Sequence, residues 1–554
     1  MKRKLLILCA LGLLGSASFG QVTDLGGPLS WKAPLKSAQL LPNKKMASFD
    51  MKLVEAQDAL NDQSKSIPYR FGYKFDTDFN LNNSGVWENL ADGSRVWRLS
   101  IVSEEAITMN LLLEDVSFPE GASLYLFDDK NTNRVGAYTA RNNREDGLLG
   151  TELMNGDHMI VEYHEPSNVI GQGTFTIANV IHGYRSLNNV QSNLAKALNS
   201  SGDCNIDVNC TLGDLWRNQI RSVAMIVVGG NGICTGALIN NTCNDGTAYF
   251  LTANHCMGGG TGSWAFRFNW EVAAGDATLS CASTTNSAGT YNNSANWDQT
   301  ANGATTLAQS GASDFGLVQI DNMTVTDAEN WGCFYAGWNN VDTDGTITSA
   351  IGVHHPSGDV KKICEELNAP YHANTGGADV WWIDAWDSGV TEPGSSGSPL
   401  FDQEGRIIGQ LYGGAAACSG TNNNGAYDFY GRFGVSWGIG GTSTYLDPAA
   451  CGGNATSNFG YDPNQATASL DKLASDIFTV SPNPSNGVFM LDLGTTSLKG
   501  VKVTVTDMTG RVLMTQAVNA VSTSLDLSGA ENGAYIVRVI SGDGSQIESI
   551  VLSK

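Results

Sequence analysis

Three stretches of the chain hold side chains that could act together. Gly394-Ser395-Ser396-Gly397-Ser398-Pro399 is a polar, glycine-rich loop just ahead of an apolar strand (Leu400, Phe401, then Ile407, Ile408, Gly409). A serine hydroxyl is a weak nucleophile at its ordinary pKa and needs a base within hydrogen-bond reach. It also needs backbone N–H donors aimed at the oxygen that turns negative. Small neighbours let the backbone turn sharply at Ser396 and let a carbonyl approach it. Alone, such a run is an ordinary loop. Upstream, Tyr249-Phe250-Leu251-Thr252-Ala253 reads as a buried strand that ends on His255, with Cys256 beside it. A disulfide at that cysteine would pin the loop, and a general base must hold its orientation. Between the two lies Ser313-Asp314-Phe315-Gly316-Leu317-Val318, an aspartate at the mouth of an apolar strand. Taken singly, Asp314 is a strand cap and His255 a structural histidine. In the order His255, Asp314, Ser396 they match the template of a hydrolytic serine triad.

The elements that must position these residues are strands. The chain has 554 residues, enough for three or four domains. Hydrophobic residues make up 42%, charged residues only 16%, and there are 64 glycines, which favours short strands and many turns. The net charge of −23 argues against a nucleic-acid partner and fits an acidic exported surface. Residues 1–20 read as a signal peptide: Lys2-Arg3-Lys4, an apolar run from Leu5 to Leu14, then small residues to Gly20. Cys9 lies inside it, which leaves ten of the 11 cysteines in the exported chain, an even number that favours disulfides.

All ten lie between Cys204 and Cys451, and this asymmetry draws the domain map. Residues 21–196 are cysteine-free and β-rich. Met51 to Asn61 has helical spacing (Leu53, Val54, Leu60), and strands are expected at Trp97–Ile101, Asn110–Leu113, Ser123–Phe127 and His158–Tyr163. His158, His164 and His182 have no ligand-like spacing. Residues 197–452 carry the cysteines, with strands at Ser222–Val228, Thr235–Ile239, Ala248–Ala253, Phe315–Ile320, Ile407–Tyr412 and Tyr430–Val435, the pattern of an all-β barrel or sandwich. Residues 453–474 read as a polar linker. Residues 475–554 are again β-rich, with alternation at Val501, Val503 and Val505, a hairpin turn over Asp507 to Arg511, and a strand at Ala534–Val539.

The middle block resembles the trypsin-like serine peptidases, and most closely the bacterial lysyl endopeptidases. The matching runs are Cys204-Asn205-Ile206-Asp207-Val208 with Cys210, Cys234-Thr235-Gly236-Ala237-Leu238-Ile239, Leu251-Thr252-Ala253 with His255-Cys256, Ser313-Asp314-Phe315, Val353-His354-His355-Pro356, Thr391-Glu392-Pro393 leading into Gly394–Pro399, and Asp428 with Tyr430-Gly431-Arg432. The resemblance implies a double β-barrel. It implies Ser396 as nucleophile, His255 as base, Asp314 as its orienter, and the N–H groups of Gly394 and Ser396 as the oxyanion hole. Trypsin's pocket aspartate would fall at Val390, so that carry-over fails. In lysyl endopeptidases the pocket carboxylate comes from a later strand, and the matching residue is Asp428. Tyr412-Gly413-Gly414 matches the strand that pairs with substrate. Trypsin's aspartate just before the nucleophile is replaced by Ser395, so a new N-terminus is not the expected switch. The implied disulfides are Cys204–Cys418, Cys210–Cys281 and Cys234–Cys256. Three pairings remain open for Cys243, Cys333, Cys364 and Cys451, among them Cys333–Cys364 with Cys243–Cys451. His354-His355 is a vicinal pair without a nearby third ligand, a poor zinc pattern.

By the same resemblance residues 21–196 are a propeptide, with self-cleavage between Lys196 and Ala197. The last block resembles the C-terminal sorting domain of the type IX secretion system of Bacteroidetes, on Ser481-Pro482-Asn483-Pro484, Gly487, Thr509-Gly510-Arg511, Gly533-Ala534-Tyr535 and Lys554. The expectation is therefore a secreted or surface-attached serine endopeptidase that cuts after lysine. It is made as a proenzyme, is monomeric when mature and needs no cofactor or metal. Its partners are protein and peptide substrates and the secretion machinery. Two alternatives stay open: an arginine or mixed-specificity pocket, and a non-catalytic surface binding protein on a protease fold.

Overall fold

The computed structural model describes residues 26–32, 35, 41–185, 201–272, 280–282, 299–438, 441–464, 478–493, 502–507, 512–518, 520–541 and 544–554. The signal-peptide reading, Lys196, Ala197 and the turn residues 508–511 lie outside them. Among the described residues the chain is mostly strand and falls into two compact units, with the division between Asn464 and Gln465.

The first unit contains both the N-terminal block and the cysteine-bearing block. The N-terminal block is a sandwich of two sheets. One carries Arg95–Val102, His158–Glu165 and Ser123–Phe127 at its centre. The other carries Thr108–Ser117 and Thr174–Gly183. Its core is built from the expected alternating positions, with Trp97, Leu99 and Ile101 packed on Met109, Leu111, Leu113, Tyr163 and Phe175. The helix Met51–Asn61 forms as its spacing predicts, capped by Asp50. Leu53 and Leu60 are nevertheless exposed. What anchors the helix is Asp58, which takes Arg70, Arg185 and the Tyr184 hydroxyl.

The middle block is two barrel-like antiparallel sheets. In the first, Val223–Val228, Gly232–Leu238, Tyr249–Ala253 and Phe315–Ile320 run side by side. In the second, the order is Lys362–Glu366, Ala350–His354, Pro399–Asp402, Ile407–Gly414, Asp428–Arg432, Ala378–Ile383. The strand expected over Tyr430–Val435 stops at Arg432 and turns into a short helix, Phe433–Trp437. Phe433 there joins Phe315, Trp338 and Phe401 in the core where the two sheets meet.

Residues 457–461, expected in a linker, instead belong to this unit. Ser457–Asn458 pairs with Trp338–Asn339, Tyr461 bridges to Tyr335, and Asp462 holds Arg221 at 2.6 Å. Four disulfides form: Cys204–Cys418, Cys210–Cys281, Cys234–Cys256 and Cys243–Cys451. Cys333 and Cys364 do not pair, because each is buried in a different core: Cys333 with Trp331 and Tyr335, Cys364 with Trp386 and Tyr430. Burial pushes both thiols up, Cys333 to about 12.

The second unit is a small β-sandwich of a three-stranded and a four-stranded sheet around Phe489, Leu491, Val503, Val505, Leu525 and Val537. Lys554 closes it, its ammonium donating to the carbonyls of Ser528 and Ala530, both at 2.6 Å.

Candidate active site

The strand Tyr249–Ala253 delivers His255 in a single 3-10 turn, Asn254–Cys256. The Cys234–Cys256 disulfide ties that turn to the neighbouring strand. Asp314 enters from the other side, at the start of Phe315–Ile320, which pairs with Tyr249–Ala253 in register Ala253↔Phe315. Asp314 has φ +47°, a conformation that aspartate tolerates better than most residues. This aims both its oxygens at His255: Oδ1 accepts from the backbone N–H at 2.9 Å and Oδ2 from Nδ1 at 2.7 Å. The carboxylate can only accept here, so Nδ1 carries the hydrogen and Nε2 is left with its lone pair free. Nε2 is buried and has no hydrogen-bond partner among the described residues.

Ser396 sits in the turn before Pro399–Asp402 and is fully buried. Gly394, at φ +98°, lies so close to the chain of residues 355–358 that a Cβ would meet the Ser357 nitrogen at 3.0 Å. The carbonyl of Pro393 is fixed by the Ser357 N–H (2.6 Å), and that of Gly394 by the Thr235 hydroxyl (2.9 Å). The N–H groups of Gly394 and Ser396 bond to no other group among the described residues.

Ser395 is also fully buried, and its hydroxyl meets His354 Nδ1 at 2.8 Å. Burial, and then Lys65 and Lys362, depress the His354 imidazole to about 3, so it is a neutral hydrogen-bonding group. His355 bonds through Nδ1 to the Asp359 carbonyl at 2.9 Å. His354 thus braces the Gly394–Pro399 loop, and His355 the turn that ends at Asp359. Cys234, His255 and Cys256 lie together, but both sulfurs are spent in a disulfide. The segment from Ser201 on is tied down by the Cys204–Cys418 disulfide and by Gly202, whose N–H donates to Glu392 at 2.9 Å.

Asp428 is fully buried, at the start of the strand Asp428–Arg432. Its Oδ2 accepts from Trp386 Nε1 at 2.7 Å and Thr391 Oγ1 at 2.8 Å. Its Oδ1 takes Lys65 Nζ at 2.6 Å, and the same ammonium reaches Thr391 Oγ1 at 2.8 Å. Burial pushes the Asp428 carboxyl up, against the opposing pull of the Lys65 ammonium. The carbonyl of Lys65 accepts from Ser396 Oγ at 2.5 Å. Tyr412 stands beside the His255 ring, 6.1 Å between centroids, with Gly413 and Gly414 continuing the strand toward Asp428.

The structure therefore brings His255, Asp314, Ser396, Gly394, Asp428, Tyr412, Gly413 and Gly414 to one site. Sequence reasoning assigned no role to Lys65, Trp386 or Thr391. Thr391 lies in a motif already singled out. Trp386 and Lys65 carry no local signal, since a lysine between serines reads as exposed loop.

Residues 198–431 match the family model for the lysyl endopeptidase C-terminal domain, and residues 479–553 that for the secretion system C-terminal sorting domain. A lysyl endopeptidase of Pseudomonas aeruginosa is 28% identical over 300 residues, which are 51% of this chain and 60% of that protein. The chain thus matches less than two thirds of this relative's length. Among solved structures, the Rv3671c protease in its inactive form is 13% identical over 44% of this chain and 97% of its own, with a TM-score of 0.27. A Glu endopeptidase is 18% identical over 43% and 96%, with a TM-score of 0.25. The fold is read from the two barrel-like sheets themselves. By its motifs and its match, the segment 198–431 is similar to the lysyl endopeptidase C-terminal domain, and the segment 479–553 to the secretion system C-terminal sorting domain.

Proposed function

We propose that this chain is the precursor of an exported serine endopeptidase that hydrolyses peptide bonds on the carboxyl side of lysine. The observation that carries this is a lysine already seated in the pocket, its ammonium on Asp428 and its carbonyl at Ser396. In the reaction, His255 Nε2 takes the Ser396 proton as Oγ attacks the scissile carbonyl. The oxyanion forms on the N–H groups of Gly394 and Ser396. Loss of one such donor costs about 100- to 1000-fold in rate. Asp314 holds the ring and stabilises its charged form. The imidazolium then protonates the leaving amine, and water releases the acyl group by the same steps.

The preference for lysine follows from the acceptors at Asp428. Trp386 and Thr391 occupy Oδ2, so a single oxygen and the Thr391 hydroxyl face the incoming cation. That suits a compact ammonium, whereas a guanidinium fork seeks two parallel acceptors. Residues 21–196 act as a propeptide removed near Lys196–Ala197. The sorting domain routes the chain through type IX secretion.

The test is cleavage-site mapping. The matured enzyme and a Ser396→Ala control are incubated with a denatured protein mixture, and the new peptide ends are read. Ends after lysine, absent from the control, are expected. Ends after lysine and arginine alike would remove the narrow specificity, and no cleavage at all would favour a binding protein on a protease fold.

A further inference from the structure

The pocket is occupied by a segment of its own chain, and the manner of occupation differs from that of a peptide about to be cut. We propose that residues 63–70 are a built-in inhibitory ligand of the site, seated by Lys65 and held in a register that Ser396 does not cleave. This rests on the reading of the site as a lysine-directed peptidase.

The side chain binds as a substrate lysine would. Lys65 is 4% exposed, and its ammonium lies between Asp428 and Thr391. The main chain does not follow. In a productive complex the serine proton is shared with the base and the carbonyl oxygen lies on the oxyanion donors. Here Ser396 Oγ donates its proton to the Lys65 carbonyl, so the nucleophile is spent on the group it would attack. His255 Nε2 is left without a partner, and neither the Gly394 nor the Ser396 N–H bonds to that carbonyl. Substrate backbone is expected to pair with Tyr412-Gly413-Gly414. Among the described residues no main-chain hydrogen bond joins 63–66 to that strand. The Ser66 N–H instead turns back to Ser64 Oγ at 3.1 Å, and the Ser66 hydroxyl lies over Gly413, 2.8 Å from where a Cβ would stand. The segment is a tight turn that offers a side chain without offering an extended backbone.

Both flanks are clamped. On one side the helix Met51–Asn61 is locked through Asp58 to Arg70 and Arg185. On the other, Tyr69–Arg70 adds an edge strand to Gly232–Leu238, and the Phe71 N–H donates to Asn231 at 3.0 Å. The turn is thereby held at the site at high effective concentration, and a modest intrinsic affinity suffices to keep it closed.

The test uses the full chain and a small fluorophosphonate. This probe bonds its phosphorus to Ser396 Oγ with loss of fluoride and has no lysine-like group. Labelling of the uncut band is timed for wild type and Lys65→Ala. Removing a charge-assisted contact of this kind should raise the labelling rate of the uncut band by about 10- to 100-fold. Equal rates in the two uncut bands, with both maturing to enzyme that cuts after lysine, would overturn the inhibitor and leave the proposed activity standing. A mature band that cuts nothing after lysine would sink the activity itself. If Lys65→Ala yields no mature band, Lys65→Met keeps the length of the side chain and removes its charge, with the same acceleration expected. Peptide mapping of the uncut wild type gives the second readout. No end at Lys65 is expected, and a Lys65–Ser66 cut that precedes all others would make the segment a substrate and overturn the register.

Discussion

On the proposed function, selectivity turns on Asp428, the buried carboxylate that receives the Lys65 ammonium. Taking one partner from a buried ion pair leaves the other uncompensated, at a cost of about 3–5 kcal/mol. Asp428→Asn should therefore lower kcat/KM for lysyl substrates by about 200- to 5000-fold, with the loss in lysine binding and transition-state stabilisation together. Steady-state kinetics on a lysyl amide, beside a substrate with an uncharged residue before the cut, checks this. A uniform loss on both substrates would mean a collapsed site and no specificity role. The nearby Trp386 and Thr391 show why the sequence conveyed only half of the pocket. Asp428 was reachable through its match to a known motif. Its two donors come from a loop and a motif flank, and only the fold brings them onto one oxygen.

At the scale of elements, the strand Ala350–His354 and the loop that carries Ser396 form one device, joined by the His354–Ser395 hydrogen bond. The His354 imidazole ordinarily titrates at 6.5 and is depressed to about 3 in the fold. Between these values the unfolded chain carries a proton on this ring that the folded chain lacks, so stability rises with pH. It is lost as pH falls from 6.5 toward 3, at up to about 1.4 kcal/mol per pH unit from this residue. Urea unfolding of the Ser396→Ala chain at about pH 7 and about pH 4.5 should show the lower midpoint in acid. His354→Gln should flatten that dependence, and an unchanged slope would remove His354 from the account.

Most strands were legible from alternation and from bounding turns. The exception at Tyr430–Val435 is instructive, since its apolar residues fit either period and Phe433 is captured by the core between the sheets. Val223–Val228 is the opposite case. Its six residues are apolar without alternation and are all buried, the mark of a strand covered on both faces. Ala224, Ile226 and Val228 face the core of their own sheet. Met225 and Val227 face Tyr69, Phe71, Leu112 and Leu153 of the N-terminal domain. The lack of alternation was visible in the sequence, but the identity of the covering element was not.

At the scale of the whole first unit, the N-terminal domain and the peptidase domain share a core. Besides that apolar layer, Arg267 is buried against Glu152 at 2.6 Å, and Thr300 donates to the same carboxylate at 2.8 Å. Asn302 and Asn110 close the contact through the carbonyls of Gly150 and Gly230. The first unit of the Ser396→Ala chain should accordingly unfold and refold in denaturant as one reversible transition. The mature domain, once denatured, should recover little activity, which activity regain on dilution would measure. Recovery as complete as that of the full chain would show that the shared core is dispensable for folding.

The layer shared by Met225, Val227, Ile233 and Trp270 with the N-terminal domain reaches past catalysis into lifetime. If residues 21–196 are removed as proposed, the information that completed this face leaves with them, and the working enzyme is a shape its remaining chain no longer fully encodes. Its durability outside the cell is then set by how slowly it unfolds, since an enzyme that opens has no template to return to and becomes a substrate for its neighbours.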